Sequence, residues 1–215
     1  MSDTEYIDVL IVDDHPLMRK GLADLLGLDE AIALAGEASN GEEALKLALQ
    51  LSPDIILLDL NMPGMNGIET IKAMRSAGVD SRILVFTVSD DKKNLTDALK
   101  EGADGYLLKD MEPEDLIESI KKASRGETTI SPELVSTLAS VFKVRQVPEK
   151  NNINLLTDRE KQVLKLVASG LTNKMIARKL NITEGTIKVH VKALLKKLGM
   201  RSRVEAAIWV TQNGK

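Results

Sequence analysis

IILLDLNMPGMNG, residues 55–67, is an unbroken apolar run that stops on a carboxylate, Asp59, and passes into a Pro63-Gly64 turn. A run that is continuous rather than alternating is what a strand covered on both faces requires. Three other runs end the same way. VLIV (9–12) stops at Asp13 and Asp14, ILVF (83–86) at Thr87, and YLL (106–108) at Lys109. Between them lie GEEALKLALQL (41–51) and GIETIKAMRSAG (67–78), whose apolar residues recur at three and four, the period of a one-sided helix. Alternating strands and helices predict a doubly wound, five-stranded parallel sheet. In such a sheet a ligand site lies outside the carboxyl ends of the strands, which is where all these polar residues fall.

Asp, Asn and Thr also serve as turn and helix-cap residues, so any one of them has a purely local alternative. Asp13 beside Asp14 is different, because adjacent carboxylates at the end of a buried strand repel unless a cation relieves them. Asp59 adds a third carboxylate to the same crevice, a donor set suited to Mg2+ with oxygen ligands and retained water. The chain has no Cys, and its two His, His15 and His190, are far apart, so a zinc or soft-metal site has no ligand set. His15 reads as a helix-start residue. Asp59 could attack a phosphoryl donor, with the metal held by Asp14 and Asp59 and supported by Asp13 through water, Lys109 as a point charge and Thr87 as a hydroxyl donor for the phosphoryl oxygens. Pro63, Gly64 and Gly67 make a tight connection that is either an ordinary βα loop or a close approach of backbone to the ion.

VDDHP, LLDLNMPGMNG, FTVSD and GADGYLLKD together resemble the receiver domain of bacterial two-component response regulators, in order and spacing. The resemblance implies a flavodoxin-like fold and Mg2+ held by Asp13, Asp14, Asp59 and the backbone of Asn61. It also implies Asp59 as phospho-acceptor, charged by a sensor histidine kinase, with Thr87, Lys109 and Tyr106 as switch residues. Asp110 stands where many receivers have Pro. Another class, the Mg-dependent phosphohydrolases, also uses an Asp nucleophile on a doubly wound sheet, but needs a second carboxylate where this chain has Asn61. The expectation is a regulator rather than an enzyme.

Charge divides the 215 residues. Residues 1–130 carry 13 more acidic than basic side chains, 131–150 have a balance of +1, and 151–215 have +9. The net of -3 thus conceals a basic C-terminal half of the kind that phosphate backbones attract. The expected division is a receiver at 1–126, a linker at 127–153 with a short helix in SPELVSTLASVFK (131–143), and a DNA-binding domain at 154–215. No run approaches the twenty apolar residues of a membrane span, and with no signal peptide or Cys the expected location is cytoplasmic.

In the basic half, Thr157 to Glu160 and Ser202 to Glu205 fit capping boxes, and Thr172 and Thr183 are expected N-caps. NKMIARKL and EGTIKVHVKALLKKLG, separated by NIT, form a helix-turn-helix candidate. On the second of these helices Ile187, Val191, Leu194, Leu195 and Leu198 should face inward, while Lys188, Lys192 and Lys196 form a row on another face. Such a row is often only a solvated face. At the start of a recognition helix, however, Lys188 and Lys192 can reach guanine O6 and N7, and Val189 a thymine methyl. Lys174, Arg178, Lys179, Thr186, Lys196, Lys197 and Arg201 suit phosphate contacts.

LTDREKQVLKLVASGLTNKMIARKL followed by TIKVHVKALLKKL resembles the LuxR-type output domain, and the two halves together resemble the NarL/FixJ class. That implies Lys188, Val189 and Lys192 as base readers of double-stranded promoter DNA and control of transcription, with nitrate- or nitrite-responsive genes as targets. It also implies a homodimer on DNA through the last helix, with Val204, Ile208 and Trp209 as contacts; the alternative there is ordinary packing. The resemblance also admits RNA polymerase as a further partner. A module whose output half binds protein instead would lack salt-sensitive duplex binding. The charge split motivates a closed state in which the acidic half covers the basic recognition helix until phosphorylation.

Overall fold

The computed structural model describes residues 6–127, 129–130, 153–171, 173–200 and 203–213. The expected helix at 131–143, the Thr172 and Ser202 caps and Arg201 lie outside these residues, as do the side chains of Val204 and Ile208.

The N-terminal half alternates strand and helix. It runs β1 (Ile7–Val12), α1 (Pro16–Leu26), β2 (Ile32–Ala38), α2 (Gly41–Leu51), β3 (Ile55–Leu58), α3 (Gly67–Ala77), β4 (Arg82–Thr87), α4 (Lys92–Glu101), β5 (Gly105–Leu108), α5 (Pro113–Ser124) and β6 (Thr129–Ile130). All pairings are parallel, in the order β2-β1-β3-β4-β5-β6. Five strands follow the expected doubly wound pattern; the sixth is a two-residue addition beside β5.

Each central strand is buried on both faces because its alternate residues enter two different cores. Leu10, Val12, Ile56, Leu58, Ile83 and Val85 pack with Ala44 and Ala48 of α2, Ile71 and Met74 of α3, and Leu95 of α4. Val9, Ile11, Ile55, Leu57, Leu84 and Phe86 pack with Leu22 and Leu26 of α1 and Leu116 and Ile120 of α5. The helices start where local chemistry supplies partners for orphan N–H groups. The Asn40 side chain accepts from the Glu43 N–H, and Asn66 with Glu69 forms a full capping box at α3.

The C-terminal half has its own core. A short 3-10 turn (Ile153–Leu155) leads into α6 (Asp158–Ala168), α7 (Asn173–Leu180), α8 (Glu184–Leu198) and α9 (Arg203–Asn213). Thr157 and Glu160 form the expected capping box, and the Thr183 side chain accepts from the Thr186 N–H at the start of α8. Ile187, Val191, Leu194 and Leu198 are buried against Val163, Leu164 and Val167 of α6 and Ile176 of α7, with Leu195 partly buried beside them. Trp209 of α9 is partly buried on the same core.

The two halves touch. A guanidinium nitrogen of Arg82 donates to the Gly170 carbonyl at 2.8 Å. Gly126 after α5 and Gly170 after α6 meet backbone to backbone, at φ +96 and +82, and a Cβ on either would strike the other's carbonyl.

Candidate functional site

The strand order reverses at β1, which has β2 on one side and β3 on the other, so the crevice between the ends of β1 and β3 is the topological switch point. Asp13 follows β1 and Asp59 follows β3. Backbone bonds hold these ends together: Asp13 N–H donates to Ala38 O, Asp59 N–H to Val12 O, and Lys109 N–H to Thr87 O. Asp13 and Asp59 are 2% and 4% exposed. Carboxylate oxygens of Asp13, Asp14 and Asp59 and a ring nitrogen of His15 lie within 4.8 Å of one another.

The Lys109 ammonium spans two of the acids, donating to Asp13 Oδ2 at 2.6 Å and lying 3.0 Å from Asp59 Oδ2. Burial alone would lower its pKa, but the bonds and charges of Asp13 and Asp59 outweigh it and raise the pKa above the ordinary lysine value. Asp59 Oδ1 accepts the Leu60 N–H at 2.8 Å. His15 stands at the start of α1, as expected, and has acidic neighbours. Its Nδ1 lies 2.8 Å from Asp14 Oδ1 and 3.3 Å from Asp13 Oδ1, and its N–H donates to Asp13 Oδ1. The Asp14 contact is poorly aligned, and Asp14 Oδ1 stays buried without a hydrogen-bond partner. An orphaned carboxylate oxygen beside two further acids is a donor set that fits a hard divalent cation.

The rim is built by small residues and by α1. Gly67, the first residue of α3, packs so tightly that a Cβ there would strike Asp59 O and Leu60 Cα. Gly64 takes φ +75 in the turn between them, and Asn61 is exposed at its start. Arg19 of α1 donates to Asp13 O at 2.7 Å. Thr87 is buried, and its hydroxyl accepts the Ser89 N–H at 3.3 Å. The Tyr106 hydroxyl donates to Ser89 O at 2.9 Å, and burial pushes its pKa up to about 12. Thr87, Ser89 and Tyr106 are therefore joined in one network next to the carboxylates.

At the other end of the sheet, α8 presents Lys188, Val189 and Lys192 toward the turn between α3 and β4. They line a cleft of about 570 Å3 whose opposite wall includes Lys72, Gly78 and Val79. A smaller cleft brings Asp54 and Asp80 of the N-terminal half to Lys174, Lys188 and Arg203. Burial raises the pKa of both carboxyls above the usual range, against the pull of Lys174 on Asp54 and of Arg203 on Asp80. Among the expected phosphate-contact residues, Lys196 is exposed, Thr186 pairs with the Thr183 hydroxyl at 2.8 Å, and Lys197 is bound to both oxygens of Glu160.

Sequence reasoning missed a buried charge cluster at this junction. Arg75 donates to Asp104 Oδ2 at 2.6 Å and to the carbonyls of Gly102, Val79 and Ser81. Arg82 lies 3.8 Å from Asp104 Oδ1. Arg203 donates to Asn173 Oδ1 and Leu171 O. No motif or period marks these residues, since each acquires its role mainly from partners distant in sequence, Asp104 for Arg75, Gly170 for Arg82 and Asn173 for Arg203.

A doubly wound acidic pocket joined to a helix-turn-helix half defines a regulator with a receiver and a DNA-binding output. Residues 9–121 match the response regulator receiver domain, and residues 154–210 match the bacterial regulatory proteins of the luxR family. The chain belongs to the two-component response regulators with LuxR-type output. It is 51% identical over 212 residues to the nitrate/nitrite response regulator protein NarL of Escherichia coli (strain K12), covering 99% of this chain and 98% of that one. To the nitrate/nitrite response regulator protein NarP of the same organism it is 44% identical over 214 residues, covering 99% and 98%. Among solved structures it resembles the response regulator ChrA of a heme-sensing two-component system, at 32% identity and a TM-score of 0.53, covering 98% of both chains. It also resembles the response regulator RcsB in complex with DNA, at 25% identity and a TM-score of 0.58, covering 97% and 99%.

Proposed function

We propose that this chain is the phosphorylation-switched regulator of nitrate- or nitrite-responsive promoters. Asp59 is the phospho-acceptor, residues 1–126 the receiver, 127–153 the linker and 154–215 the DNA-binding domain. The observation that carries this reading is Lys109 clamped between Asp13 and Asp59, beside an Asp14 oxygen that has no hydrogen-bond partner.

An ionised Asp59 oxygen attacks the phosphorus of a sensor kinase phosphohistidine or a small acyl phosphate. A P–O bond forms, and the bond to the donor breaks with its electron pair leaving on the donor. Asp13, Asp14, Asp59 and the Asn61 backbone would hold Mg2+, which would supply charge neutralisation for the phosphoryl oxygens. Lys109 is already within bonding distance of the acceptor and moves from carboxylate to phosphoryl oxygen. The Thr87 hydroxyl donates to another oxygen, and through Ser89 that movement reaches Tyr106.

Thr87 ends β4 and Arg82 begins it, about 17 Å away at 3.3 Å per residue. Lys109 and Asp104 flank β5 in the same way. The two strands that carry the switch residues thus carry, at their opposite ends, Arg82, which bonds the C-terminal half at Gly170, and Asp104, which lies beside Arg82. In the closed arrangement a DNA major groove cannot reach Lys188, Val189 and Lys192, because α3 and the turn after it face them across the cleft. Phosphorylation shifts the population toward an open form. Lys188, Val189 and Lys192 then read bases, and Lys174, Arg178, Lys179, Thr186, Lys196, Lys197 and Arg201 hold phosphates. α9 pairs two chains on DNA through Val204, Ile208 and Trp209, at promoters where RNA polymerase is the further partner. The protein works in the cytoplasm; no helix among the described residues is long and apolar enough to cross a membrane.

Footprinting on promoter DNA with and without acetyl phosphate and Mg2+ tests this reading. Protection that appears or strengthens on phosphorylation is expected. Equal protection in both conditions would overturn the switch.

A further inference from the structure

The cleft between the halves has a second property, independent of its blocking DNA. Its volume of about 570 Å3 lies in the range of small-molecule sites, about 300 to 1,000 Å3. Cations line it from both sides: Lys72 of α3 on one wall, and Lys188, Lys192, Lys196 and Arg203 on the other. Asp80 and Glu101 are the acids that line it. Lys72 and Lys192 are exposed and carry no ion pair or hydrogen bond among the described residues.

A separate observation is Arg203. It is 7% exposed, its Nε has no hydrogen-bond partner, and burial together with the neighbouring Arg82 pulls its pKa down to about 10. Arg82, 5% exposed, also has an unpartnered Nε. Closing the two halves therefore brings like charges together and leaves buried donors unused, both of which cost free energy. Arg203 lines the cleft and Arg82 does not, so an anion in the cleft would offset the positive charge that closure gathers at Arg203. Beside the cations run Val79, Val189, Leu195 and Met200, an apolar wall that an inorganic ion would leave uncovered.

We propose that this cleft is a ligand site of the closed chain for a nucleotide-class anion, its phosphates between Lys72 and the α8 lysines and its base against the apolar wall. This rests on the closed arrangement of the proposed function. The site exists only while Lys72 faces α8, and it uses the lysines that otherwise meet DNA. Ligand and DNA therefore exclude each other, and by linkage the ligand opposes phosphorylation-driven opening by the factor by which opening weakens the ligand.

The test is equilibrium binding of ATP, with inorganic pyrophosphate as the charge-only probe, to the unphosphorylated full-length chain in EDTA, so that no metal loads the carboxylate pocket. ATP is expected to bind one per chain, about tenfold tighter than pyrophosphate. Lys72→Gln is expected to weaken ATP about tenfold while leaving acetyl-phosphate labelling and ATP-free DNA affinity unchanged. Three results would each overturn the proposal: no saturable binding at millimolar ATP, equal affinity for pyrophosphate and ATP, or Lys72→Gln binding ATP as well as the parent. The last would mean that ATP sits on the α8 lysines alone. If ATP fails to bind while phosphorylation still raises DNA affinity, this inference falls and the proposed function stands. If phosphorylation leaves DNA affinity unchanged, the functional reading itself falls.

Discussion

Asp59 is held by two dissimilar partners, the Leu60 N–H on one oxygen and the Lys109 ammonium near the other. Asp59→Asn keeps an acceptor for the first and removes the charge and the nucleophile. It is expected to abolish labelling by acetyl phosphate with an unchanged circular dichroism spectrum; retained label would move the acceptor elsewhere. Lys192 stands on the exposed side of α8, so Lys192→Ala should leave stability within about 0.5 kcal/mol. It should cost about 1 to 3 kcal/mol on a specific site. Equal weakening on random DNA would reassign Lys192 to phosphate contact. The strand-end position of Asp59 and the exposed face of Lys192 were legible from the chain, the first because an apolar run ends on it and the second because it recurs at helical spacing. Arg82, Asp104 and Arg203 were not. A lone Arg at the start of a strand has no signature when the carbonyl it holds lies 88 residues on.

Among elements, the start of α3 shows why Asp59 sits where it does. The Asn66–Glu69 capping box fixes the first turn of the helix, and Gly67 lets that turn lie against the Asp59 and Leu60 backbone. Gly67→Ala should displace this backbone at a cost of about 1 to 3 kcal/mol, the scale of an overpacked core. Thermal unfolding would report that loss, and slower labelling by acetyl phosphate would report the displaced carboxylate; normal stability and labelling would show that the contact relaxes freely. The central strands were legible because two-sided burial writes unbroken apolar runs, and α6 and α8 because Thr157 and Thr183 announce their starts. β6 was not, since two residues at the edge of a sheet carry neither a run nor a period.

For the molecule as a whole, contacts between the halves among the described residues can be tested one at a time. Arg82→Ala removes the bond to Gly170 O, while Arg75 still pairs with Asp104 and keeps the receiver intact. A bond from a charged donor contributes about 1.5 to 3 kcal/mol, so DNA affinity of the unphosphorylated chain should rise about tenfold or more. The phosphorylated chain should not change, and fluorescence anisotropy on promoter DNA reads both. Proton linkage gives a second handle. Asp54 and Asp80 have raised pKa values in the closed form, so they take up protons there more readily than when exposed. Acidification from neutrality toward the carboxylate range therefore favours closure, and DNA affinity of the unphosphorylated chain should fall. In a chain carrying Asp54→Asn and Asp80→Asn that fall should shrink. An identical pH profile would remove these two carboxylates from the linkage.

The contact between Gly126 and Gly170 restricts which partners either half can be joined to. Each glycine is required twice, by its own half, whose chain turns there at positive φ, and by the surface of the other half, which leaves no room for a Cβ. A chimera grafting a foreign output domain with any side chain at position 170 would be wedged apart and active without a signal. Exchange of modules between related regulators must then carry this pair along, or forfeit the off state at the first recombination.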